Sequence, residues 1–245
     1  MKNKVKWVVL GLLLMVIFIM TMMKSPEEIT SMLSNVTDQL RTFSVIAHII
    51  FLVVIATGLI FKKIRGALFF LFIAFLSLSA TVIAIKYMIL PNIIIFAMFF
   101  GLIIDAYFRK QLNFKLENLK PVSLFFGIIG MVFGFWYLHW VESPIWLNAL
   151  YNSPLGVVNC PTMLTICGFL CLTENPRSVM LETTVALTTL YFGFFGVFRL
   201  GAYIDIMLII CALFLILRLG SYLNLEERGS FKMFNFVQDQ GRRKF

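Results

Sequence analysis

Charge is what this 245-residue sequence has least of. Asp, Glu, Lys and Arg together make up 13% of it, about half the ~25% of a soluble domain. Hydrophobic residues make up 60%. That balance excludes a soluble globular domain and implies a polytopic membrane protein. Histidine is nearly absent, with two residues. There is no Gly-rich phosphate loop, nucleophile elbow or His-Glu-x-x-His, and no Cys-x-x-Cys pair. Nucleotide hydrolysis, zinc proteolysis and dithiol redox chemistry therefore lose their usual signatures. No catalytic role is assigned, and the chain reads as a non-enzyme.

What is abundant is long apolar runs. Eight reach the ~17–20 residues that a spanning helix needs, at about 5–23, 43–61, 66–85, 88–108, 122–141, 155–173, 179–198 and 202–219. The first, with an apolar stretch from Trp7 to Met23, exceeds the ~7–15 residues of a secretory signal and no small-x-small cleavage site follows it. It reads as an uncleaved signal anchor. The fold class is thus all-α, with about eight transmembrane helices. It divides into an anchor and outer loop over 1–42, a seven-helix membrane domain over 43–219 and a basic cytoplasmic tail over 220–245.

The net charge of +9 follows topology, not nucleic acid. With the N-terminus inside, only Lys24, Arg41, Lys86 and Arg199 of the 21 Lys and Arg fall outside. That bias predicts both termini in the cytoplasm of a bacterial plasma membrane.

In the first outer loop, Ser25-Pro26-Glu27-Glu28 is a helix-start signal. Ile29, Met32, Leu33 and Val36 then recur at helical spacing, so a short amphipathic helix on the outer surface and a continuous lead-in to the second span are both open. In the inner loop, Leu112, Phe114, Leu116 and Leu119 are expected to dip into the membrane interface, and Asp105 to pair with Arg109 at i+4.

The most informative stretch is Asn159-Cys160-Pro161-Thr162, at the start of an apolar run. Pro161 belongs in the first turn of a helix. Polar groups at membrane depth are tolerated where they face protein or a water-filled cavity. His48, His139, Glu142, Asn159, Cys160, Arg199 and Asp205 all fall near the outer level, which predicts an outward-facing polar pocket for a small solute or ion. His139 and Glu142, three apart, could also join Cys160 as a base and acid, although helix ends carry such residues for solubility.

Cys160, Cys167 and Cys171 share one helical face, with Met163 beside them. A sulfur stripe of this kind suits a thiophilic metal such as Cu(I); small buried cysteines and a gap-filling methionine explain the same pattern. A bridge between residues seven apart is excluded, since they lie ~10.5 Å apart along the axis, beyond ~7 Å.

The stretch Ser153-Pro154-Leu155-Gly156-Val157-Val158-Asn159-Cys160-Pro161-Thr162, with Thr165 and Gly168-Phe169-Leu170, resembles an uncharacterised family of bacterial polytopic membrane proteins with a Gly-Val-x-x-Cys-Pro-Thr segment. The order of spans from about Ile29 to Leu219 is similar too. The resemblance implies an integral membrane fold and a shared feature at Cys160-Pro161, with no activity, substrate or cofactor attached. Besides the lipid bilayer, the short loops and 27 Phe residues leave room for a second reading, an accessory or assembly subunit of a larger membrane complex.

Overall fold

A computed structural model describes residues 2–137, 153–175 and 177–222. Among them are nine helices and no strand: α1 (Lys2–Met22), α2 (Pro26–Gln39), α3 (Arg41–Ile60), α4 (Arg65–Lys86), α5 (Leu90–Phe108), α6 (Pro121–Phe135), α7 (Asn159–Cys171), α8 (Val179–Arg199) and α9 (Tyr203–Tyr222). Each of the eight apolar runs overlaps one of them. Five (α3, α4, α5, α8 and α9) are long and apolar enough to cross a membrane, and the bent pair formed by α1 and α2 raises the number to six when the pair is counted as one span.

The bend between α1 and α2 is 97°, and the sequence explains it. Ser25 accepts from Glu28 N at 3.2 Å, and Glu28 Oε2 accepts from Ser25 N at 3.3 Å, a complete capping box with Pro26 in the first turn. This cap starts a helix distinct from α1; on the other side α2 ends at Gln39 and α3 opens at Arg41, with Leu40 alone between them. Ile29, Leu33 and Val36 are buried, the face that the helical spacing marked.

Polar contacts show which helix ends lie together. Arg199 Nη2 donates to the carbonyls of Met22 (3.3 Å) and Lys24 (2.8 Å), and Tyr87 Oη donates to Gln39 Oε1 at 2.7 Å. These mark the α1–α2 end of the bundle. At the opposite, α3–α4 end, Arg65 donates from Nε to Gly58 O (2.7 Å) and from Nη1 to both oxygens of Glu117. The Asp105–Arg109 pair forms at 2.8 Å. Leu112 and Phe114 are buried in protein instead of reaching the interface: Phe114 stands edge-on to Phe69, centroids 5.5 Å apart, because the Asn113–Glu174 bridge holds the loop against the α7–α8 connection.

Two helices are short. At 1.5 Å per residue, α6 and α7 are about 22 and 20 Å long, less than the ~30 Å hydrocarbon core. They pack against one another through glycine. A Cβ on Gly130 would meet Gly168 Cα at 2.7 Å, and one on Gly168 would meet Met131 N at 2.8 Å, the close backbone approach that small residues permit in membranes. All thirteen residues of α7 are buried. It is the central rod of the bundle, contacted by α4, α6 and α8.

Candidate functional site

The Asn159-Cys160-Pro161-Thr162 stretch opens α7 as the sequence predicts, with Pro161 in the first turn. The backbone ahead of it, residues 153–158, is irregular and buried, which is costly unless its polar groups find partners. They do. Val157 N and Val158 N donate to Pro154 O (3.0 and 3.1 Å), Gly156 N to Thr162 Oγ1 (2.9 Å) and Ser79 Oγ to Gly156 O (3.0 Å). Gly156 has φ +74, a left-handed conformation that glycine adopts at low cost.

Cys160 sits where this turn meets the start of α9. Its sulfur lies 3.4 Å from Asp205 Oδ2 and 3.8 Å from Asn159 Oδ1. Tyr137 Oη donates a short hydrogen bond to Asp205 Oδ1. Asp205 is fully buried, and no cationic side chain pairs with it among the described residues. It belongs to the first turn of α9, and its partner Cys160 belongs to the first turn of α7, so the carboxyl group lies where the starts of two helices meet. Gly196 makes the space: a Cβ there would overlap the Asp205 carboxylate. Gly201, at φ +69, ends α8 in a left-handed turn closed by Ala202 N to Gly196 O at 2.9 Å, and this turn delivers Asp205 to Cys160.

Cys160 and Asn159 also line a cavity of about 130 Å³. Its other walls come from α1 and α2 (Thr21, Met32), the α4–α5 turn (Met88) and α8 (Phe192). Most of that lining is apolar. Ordinary ligand pockets measure ~300–1,000 Å³, so the space suits an ion or a solute of a few atoms. The thiol thus separates the cavity from a buried carboxyl group that accepts its hydrogen bond.

The remaining expected site residues fall as follows. Asn159, Cys160 and Asp205 come together. Arg199 pins α8 to the α1–α2 junction and does not line the cavity. His48 is buried between α3 and α6, with Nδ1 2.6 Å from Ser44 O and Nε2 3.0 Å from Phe135 O, so backbone carbonyls hold it and it does not line the cavity. His139 and Glu142 lie outside the described residues. Cys160 reaches the cavity, whereas Met163, Cys167 and Cys171 are enclosed by neighbouring helices. Among the described residues, no group of three or more His, Cys, Asp or Glu is placed to hold a metal. All four cysteines are free.

The chain matches no family model, no curated protein and no solved structure.

Two residues of the site escape a reading of the sequence. Tyr137 looks like an ordinary interfacial aromatic. Gly196 is signalled only by Gly193 three residues before it, a small-residue pair on one helix face.

Proposed function

We propose that this chain is a multi-pass protein of the bacterial plasma membrane, with eight crossing segments and both termini cytoplasmic, that binds or transports a small solute or ion through the cavity at the α1–α2 end. The observation that carries the reading is the double role of Cys160, which walls the cavity and touches the buried Asp205. Ionisable groups buried at membrane depth are expensive and mark sites by default. A short helix with buried irregular backbone ahead of it is also how membrane transporters build binding sites. The complete burial of α7 within one chain favours this reading over an accessory subunit, since the central helix needs no partner to cover it. The Cys-Pro-Thr resemblance belongs to the same proposal and adds no substrate.

The test is a thermal-shift screen of purified protein in detergent against alkali and halide ions, ammonium, and small carboxylates and amines. A stabilising compound is expected, with its effect abolished by Cys160→Leu, which fills the cavity, and retained by Cys167→Ala. If no compound stabilises, or if Cys160→Leu responds as the unaltered protein does, the cavity is not a binding site.

A further inference from the structure

The α3–α4 end carries a second concavity, of about 600 Å³, between the start of α6, the α7–α8 connection and the end of α9. Lys120, Ser123, Glu174, Arg177 and Arg218 are among its polar lining residues. Apolar side chains in the same lining are open to the surface: Val122 and Leu217 are 56% and 71% exposed. A lining that combines cationic groups with exposed apolar side chains matches the boundary between lipid headgroups and acyl chains.

The cations do not have equal duties. Arg218 is committed to structure. It donates to Cys171 O at 2.7 Å and Leu170 O at 2.6 Å, closing the C-terminus of α7, and pairs with Glu182 Oε1 at 3.1 Å. Arg177 is not committed in this way. Its nearest acidic atom is Glu182 Oε2 at 3.9 Å, and its Nε and Nη1 are buried with no hydrogen-bond partner. Buried donors left without acceptors are rare and point to a group that completes them. Lys120, at the N-cap of α6, leaves that helix without a side-chain cap, and an uncapped helix start favours an anion. Glu174 carries the opposite vacancy, because its Oε1 is buried without a donor.

We infer that this cleft seats the headgroup of a zwitterionic phospholipid, a phosphodiester joined to an ammonium. The phosphate takes the Arg177 guanidinium, Lys120 and the α6 N-terminus. The ammonium takes Glu174. The acyl chains run over Val122 and Leu217. This site is separate from the cavity at Cys160 and stands or falls apart from it.

The test is native mass spectrometry of the full chain, delipidated in detergent and titrated with phosphatidylethanolamine, phosphatidylglycerol or inorganic phosphate. Phosphatidylethanolamine is expected to bind in preference to phosphatidylglycerol. Arg177→Gln and Lys120→Gln are each expected to weaken it roughly fivefold, the scale of one basic residue at a lipid surface. Glu174→Gln is expected to remove the preference for ethanolamine. Lys120 is exposed, so its variant keeps the test intact if Arg177→Gln misfolds. Equal binding by the unaltered protein and Lys120→Gln overturns the site. Equal retention of the two lipids overturns the ammonium assignment. Displacement of lipid by millimolar inorganic phosphate overturns the lipid in favour of a soluble phosphate compound.

Discussion

Gly196 and Asp205 occupy one space: the carboxylate lies where a side chain on Gly196 would stand. The absence of one side chain is therefore what lets the other reach Cys160 and Tyr137.

Gly196→Ala is expected to push Asp205 off both partners and to destabilise the protein by about 1–3 kcal/mol, the usual cost of overpacking. Chemical unfolding in mixed micelles measures this. An unchanged unfolding midpoint means the α8–α9 turn shifts freely, against the tight fit described.

Tyr137→Phe removes the donor to Asp205 Oδ1 and leaves a buried oxygen unpaired, at a cost of about 1–3 kcal/mol. Because Tyr137 and Cys160 share one carboxylate, Tyr137→Phe and Cys160→Ala are expected to be non-additive. A double-mutant cycle reads the coupling. Strict additivity contradicts a shared acceptor.

Gly130→Leu is expected to prevent α6 and α7 from closing and to abolish recovery of folded protein, since Gly168 Cα is in the way. Gly101→Ala in α5, where nothing lies within 4 Å of the added carbon, is expected to be neutral or to stabilise by about 0.5–1 kcal/mol. Size-exclusion profiles and unfolding midpoints distinguish them. Equal damage from both changes would show that glycine spacing is not what joins the two helices.

Glu117, in the α5–α6 loop, is held below the usual carboxylate range, first by its own backbone N–H and then by Arg65. A carboxyl whose folded pKa is depressed stabilises above its unfolded value, and that contribution disappears as pH falls through the folded value. Thermal midpoints are therefore expected to fall on acidification below about pH 4.3, the ordinary Glu range. Glu117→Gln is expected to flatten that dependence. Identical acid profiles for the two proteins refute the assignment.

Much of the helical layout is legible in the sequence, because lipid-length apolar runs and the Ser25-Glu28 cap are local signals. That Asn159, Cys160 and Asp205 share one level of the bundle is legible for the same reason. The status of α7 is not legible: a short, mostly apolar helix looks the same whether protein or lipid surrounds most of it. Nor is the diversion of His48, because its partners are the carbonyls of Ser44 and Phe135 and every residue has a carbonyl. Tyr137 meets Asp205 across 68 positions, a distance that no periodic pattern encodes.

The burial of α7 also bears on how the chain is made. A segment with no outward face gains little from bilayer contact when it leaves the insertion machinery. Its cover is completed by α8, and its carbonyls are closed by Arg218, 47 residues later. During synthesis the half-built bundle must therefore shelter a short helix that neither water nor hydrocarbon suits, and α6, bound to it glycine against glycine, is the escort already in place.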